Sequence, residues 1–133
     1  MASEGFVYVP PQCGDRRLTG SSFGHLQGQD DHIQDQDGSL TKCHLHFNFH
    51  GCTTGASFVG ENYIKHTRFL QAADAYNVVI VFPQTVPSFA NPLGCWDWWG
   101  YLGDTKDHAF ATKNVLQMKG VAAMLQRVSG IVL

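Results

Sequence analysis

Three histidines, an asparagine and two cysteines crowd into ten residues, Cys43-His44-Leu45-His46-Phe47-Asn48-Phe49-His50-Gly51-Cys52. The alternation predicts a β-strand at 43–50, with Cys43, Leu45, Phe47 and Phe49 on one face and His44, His46, Asn48 and His50 on the other. Two chemistries compete for this stretch. His44 and His46, with His50 further along the same face, resemble a strand-borne zinc site. Asn48 interrupts the row and no carboxylate lies within a few residues, so hydrogen bonds to neighbouring loops are the plainer role and no metal is assigned. The other chemistry belongs to the backbone. Gly51 admits conformations closed to other residues, and a turn at a strand end can present N–H groups to the oxyanion that develops in acyl transfer. Such a donor is useful only beside a nucleophile.

Candidates for that nucleophile are few. Gly20-Ser21-Ser22-Phe23-Gly24 has the letters of Gly-x-Ser-x-Gly, a motif that works because a strained strand-to-helix turn pushes the serine hydroxyl outward. Asp15-Arg16-Arg17-Leu18-Thr19 ahead of it is no buried strand, and Gln and Asp residues follow where a helix is needed, so Ser22 reads as a loop residue. Asp35-Gln36-Asp37-Gly38 echoes a calcium loop, but the first and twelfth ligand positions would be Ile33 and His44, and the reading fails. Asn91-Pro92-Leu93-Gly94-Cys95-Trp96-Asp97-Trp98-Trp99-Gly100-Tyr101 is a loop dense in aromatic rings. Its rings suit a flat binding surface and a loop tucked under the core equally well. Asp97 there could be an acid catalyst; an acceptor for nearby backbone N–H groups is the preferred role.

The elements that would position these groups follow from periodicity. Gly5 to Pro10 reads as a short strand closed by Pro10-Pro11, and residues 14–41, rich in Gly, Gln, Asp and Ser, as a polar loop insertion. Ile64, Thr67, Leu70, Ala72 and Ala73 recur at helical spacing within 61–76, ending at Asn77. The β-branched run at 78–83 reads as a strand covered on both faces. Val115, Met118, Val121, Ala122, Leu125 and Val128 mark one side of a helix over about 111–128. Strand, helix, strand, helix predicts an α/β fold in which strands 43–50 and 78–83 are parallel neighbours joined through the 61–76 helix by a right-handed crossover.

At 133 residues and 44% hydrophobic content the chain is expected to form one domain with a real core. With a net charge of −2 and scattered basic residues it suggests no nucleic-acid partner, and no apolar run reaches membrane-spanning length. Met1-Ala2-Ser3-Glu4 lacks the charged and apolar regions of a signal peptide, so the chain as it stands reads as soluble. Cys13, Cys43, Cys52 and Cys95 contain no Cys-x-x-Cys spacing, and two disulfides or four thiols are both compatible with that count.

Taken together, Gly5-Phe-Val-Tyr-Val-Pro-Pro-Gln-Cys13, Cys43-x-Leu-His-x-x-x-His-Gly-Cys52, Val78-Val-Ile-Val-Phe-Pro-Gln84, Asn91-Pro-x-Gly-Cys-Trp-Asp-Trp98 and the Gln117-Met118 helix resemble the polyhydroxybutyrate depolymerases, secreted serine esterases of α/β-hydrolase fold. The order and spacing match across nearly the whole chain except the 14–41 insertion, and the likeness is greatest to circularly permuted, fungal-type members. The resemblance implies a partial three-layer α/β-hydrolase-like fold and a Cys52 backbone N–H acting as one oxyanion donor. It also implies disulfides Cys13–Cys43 and Cys52–Cys95, and Trp96 as an aromatic wall beside the ester. His46 and His50 match family positions, which favours structural roles; His44 and Asn48 depart from the usual small or apolar residues. The family's serine, aspartate and histidine have no counterpart in this sequence.

The expectation is therefore a fragment or half-domain of a carboxylic ester hydrolase, inactive alone, without cofactor, extracellular by resemblance, and working on an ester or polyester with a serine-bearing half-domain. A non-catalytic binding protein derived from the same fold is the alternative, and a histidine metal protein a weaker one.

Overall fold

The computed structural model describes residues 2–13, 43–103 and 110–129. The 14–41 stretch, and with it Ser22 and the Asp35–Gly38 echo, lies outside the described residues. Three strands form one sheet: β1 (Phe6–Tyr8), β2 (His44–Phe47) and β3 (Val78–Phe82), in the spatial order β1-β3-β2. β2 runs parallel to β3 with His46 opposite Ile80, and β1 is antiparallel to β3 with Phe6 opposite Phe82. The parallel pair at the expected positions is present; the antiparallel edge makes the sheet mixed.

The segment between β2 and β3 holds three short helices in place of the one helix expected over 61–76: α1 (Ala56–Val59), α2 (Asn62–His66) and α3 (Phe69–Tyr76). Arg68 adopts a left-handed backbone, φ 62°, and breaks the hydrogen-bonded ladder between α2 and α3. Ile64 and Ala73, nine residues apart, would lie on opposite sides of one continuous helix; the break lets both face the core, while Thr67 and Ala72 of the expected stripe are exposed. Asn77 ends α3 as expected, in the left-handed conformation that asparagine tolerates, with its N–H bonded to the carbonyl of Ala73.

Ile64, Ala73, Ile80 and Phe82 form the core, with Phe6, Tyr8, Tyr63, Phe69, Leu70 and Val78 against it. Enclosing Phe82 completely contributes roughly 1.5–3 kcal/mol. Because His46 pairs with Ile80, the histidine face of β2 continues the face of β3 on which α3 packs; His44 and His46 are themselves exposed, and His46 stacks on Phe69 at 5.9 Å between ring centroids. On the opposite face Leu45, Phe47 and Val79 are half-buried. The last helix, α4 (Leu116–Ser129), starts later than the 111 expected, after a turn in which Val115 is buried.

Candidate functional site

The chain leaves β2 with one further ladder bond, from Asn48 N–H to the carbonyl of Val81 at 2.8 Å. Alternation then buries the polar residues: Asn48 accepts a bond from the Tyr63 hydroxyl at 2.9 Å, and His50 is only 2% exposed. Phe49, between them, points outward. The His50 ring hydrogen-bonds to neighbouring loops, as expected, through the Gly51 carbonyl and the Thr85 N–H.

The turn at 50–54 is built around the Gly51 carbonyl. It accepts bonds from His50 Nδ1 at 2.7 Å, Thr54 Oγ1 at 2.9 Å and Thr54 N–H at 3.3 Å. The next N–H, that of Cys52, has no acceptor among the described residues. Thr53 follows at φ 59°, a conformation costing a β-branched residue on the order of 1–3 kcal/mol. Its N–H reaches the carbonyl of Leu93 at 2.8 Å, and its hydroxyl donates to the carbonyl of Cys52 at 2.6 Å. Cys52 and Cys95 are disulfide-bonded, with Cα atoms 4.3 Å apart, and Cys13 and Cys43 form the second disulfide at 6.0 Å.

The tryptophan loop is held from inside. Asn91, 0% exposed, accepts from Cys95 N–H at 2.9 Å and donates to the Cys95 carbonyl at 2.8 Å, behaving as a piece of strand. Asp97 is a structural acceptor, not a free acid. Its Oδ1 takes the N–H groups of Gly100 and Tyr101 at 2.6 and 2.9 Å, and its Oδ2 that of Leu102 at 3.2 Å. Buried Gln117 links α4 to this loop, accepting from Asp97 N–H at 2.7 Å and donating to the Tyr101 hydroxyl at 2.8 Å. Burial pushes the Tyr101 phenol above its ordinary pKa.

Trp96 joins the two segments. Its indole N–H donates to the His50 carbonyl at 3.0 Å, and its ring meets Phe49 edge-on at 5.0 Å. Together with Phe110, Val115, Met118 and Val121 these two rings line an open apolar cleft of about 270 Å³. Half of the apolar stripe expected on the last helix, Val115, Met118 and Val121, is therefore cleft wall; Val115 is buried, while Met118 is exposed.

Cys52 and Trp96 are thus brought to one place. Among the described residues no three metal-binding side chains converge, and both ring nitrogens of His50 face protein groups. No serine hydroxyl bonds to a histidine among the described residues either. The roles of Thr54, Thr85 and Asn91 escaped the sequence reading. The turn-forming character of Thr53-Thr54 and Asn91-Pro92 was the available signal, but their acceptors become neighbours only on folding.

No protein-family model matches the chain. It is 33% identical over 129 residues to a poly(3-hydroxybutyrate) depolymerase of Delftia acidovorans, which covers 97% of this chain and 20% of that protein. It is 29% identical over 118 residues to a polyhydroxybutyrate depolymerase of Talaromyces funiculosus, covering 80% of this chain and 28% of that one. Among solved structures it resembles the PHB depolymerase from Penicillium funiculosum, with a TM-score of 0.67 and 28% identity over 96% of this chain and 36% of that one. A PHB depolymerase variant complexed with an R3HB trimer is similar at a TM-score of 0.64 and 26% identity. The chain thus spans between a fifth and just over a third of the proteins it matches.

Proposed function

We propose that this chain, a relative of the polyhydroxybutyrate depolymerases in sequence and in fold, supplies the oxyanion turn and one aromatic wall of a serine-esterase site, as part of a larger three-layer α/β-hydrolase-like fold. The observation that carries this reading is the Cys52 N–H: it lacks an acceptor, on a turn cross-linked to the tryptophan loop beside an apolar cleft. In the complete site a serine attacks an ester carbonyl and its proton passes to a base. The carbonyl oxygen becomes an oxyanion, and Cys52 N–H donates to it. Collapse breaks the ester C–O bond, the base returns its proton to the departing alkoxide to give the alcohol, and the acyl-enzyme left behind is hydrolysed by water activated by the same base. One such donor is worth about a hundred- to a thousandfold in rate. Phe49 and Trp96 pack against the apolar part of the ester. The trimer complex of a structural neighbour favours a hydroxyacyl ester as substrate. Two disulfides suit an oxidising, extracellular setting. Serine and base come from a serine-bearing part of the fold.

Hydrolysis of a p-nitrophenyl ester tests the reading. The chain and its Ser22→Ala variant should both stay at background, whereas the chain refolded with the serine-bearing part of a relative should turn over. Activity of the chain alone that disappears in Ser22→Ala would refute it. Trp98, 70% exposed, favours a second reading as a polyester-binding protein. That reading predicts adsorption to polyester film and no turnover after refolding.

A further inference from the structure

The oxyanion turn is held by partners whose chemistry fixes the protonation state of His50. His50 Nδ1 lies 2.7 Å from the carbonyl of Gly51, a group that can only accept, so Nδ1 carries a proton. His50 Nε2 lies 3.2 Å from the N–H of Thr85, a group that can only donate, so Nε2 carries a lone pair. The Thr85 hydroxyl, whose proton goes to the carbonyl of Gly94, lies 3.4 Å from the same nitrogen. The two backbone partners therefore demand the same neutral tautomer from opposite sides of the ring. Gly55 leaves the room for it: a Cβ there would lie 2.7 Å from Cε1 and 2.9 Å from Nε2 of His50.

This ring acts on the Gly51–Cys52 peptide. In a trans peptide the N–H points opposite to the carbonyl of the same plane, and the described chain contains no cis bond. Pinning the Gly51 carbonyl with donors from His50 and Thr54 therefore aims the Cys52 N–H away from the protein groups that hold the turn. We infer that His50, as its Nδ1–H tautomer, is a positioning residue that together with Thr54 orients the Cys52 N–H as an oxyanion donor, and that Thr85 couples this orientation to the tryptophan loop through Gly94. The inference rests on the oxyanion reading of Cys52, but its test does not use catalysis. Failure of the esterase reading would leave the orientation result standing, and the reverse also holds.

The experiment is NMR on the whole chain labelled with ¹⁵N and ¹³C. In the unsubstituted protein the His50 ring should show a protonated Nδ1 and a bare Nε2; a proton on Nε2 would overturn the inference. Asparagine places an amide N–H where Nδ1 stood, whereas glutamine places its amide oxygen near the position of Nε2. His50→Asn should therefore keep the Gly51 carbonyl ¹³C and Cys52 amide resonances close to their original positions. His50→Gln should shift both and lower the Cys52 order parameter. A role limited to filling space predicts the opposite ranking, since glutamine is nearer in volume to histidine. Equal perturbation by the two variants would also overturn the inference. Should both variants fail to fold, Thr54→Val removes only one donor and must still shift the Gly51 carbonyl resonance; an unmoved resonance would count against the clamp.

Discussion

Replacing Cys52 and Cys95 together by alanine tests how much of the site's stability lies in its covalent tie. The bond spans 43 residues. In the chain-entropy account, releasing a loop of that length returns about 13 cal/mol/K to the unfolded chain, a loss of about 4 kcal/mol at 25 °C. The Cys13–Cys43 bond spans 30 residues and should be worth about 3.6 kcal/mol by the same expression. With an unfolding entropy near 2.1 cal/mol/K per residue over 133 residues, 4 kcal/mol corresponds to a fall in Tm of about 14 °C. Urea unfolding followed by tryptophan fluorescence measures the loss, and the slope m should rise because the unfolded state becomes less compact. The turn should keep much of its place in the folded state, because Thr53 N–H to Leu93 at 2.8 Å and Trp96 N–H to His50 at 3.0 Å still join the two loops. A loss below about 1 kcal/mol for the Cys52/Cys95 pair, with m unchanged, would refute the entropic reasoning.

Asn91→Ala should destabilise the chain by about 1–3 kcal/mol, since it strands the buried N–H of Cys95, whereas the Cys95 carbonyl keeps the Tyr101 hydroxyl at 3.0 Å. A thermal melt of the variant measures the loss. The Tyr8 phenol is pushed up to about 12 by burial and by its bond to Asp74, and a raised phenol pKa means the neutral form is favoured in the folded state. Stability from this source is present below pH 10 and is lost as the pH rises from 10 towards 12. Tyr8→Phe should flatten that alkaline decline in unfolding midpoint, and an unchanged slope would count against the Tyr8–Asp74 pair.

The sequence by itself determined β2, β3 and the end of α3. Alternation through Leu45 and Phe47 and the β-branched run Val78 to Val81 specify β2 and β3, because period-two patterning and β-branching are local properties of extended chain. Asn77 marked the end of α3 for an equally local reason, its tolerance of the left-handed backbone. Other features needed the tertiary structure. The break at Arg68 turns Ile64 and Ala73, which would face opposite sides of one helix, onto the same core, and that re-phasing is set by packing. That Asn48 and His50 are buried while His44 and His46 on the same face are exposed depends on which groups fold against each end of the strand, and alternation gives two faces without saying which is inside. The clamp on the Gly51 carbonyl and the tautomer of His50 were hidden for the same reason. Thr85 lies 35 residues from His50, and Leu93 is still more remote in sequence from Thr53. A hydrogen bond between such groups has no local signature, because its geometry exists only once the loops that carry them are folded together.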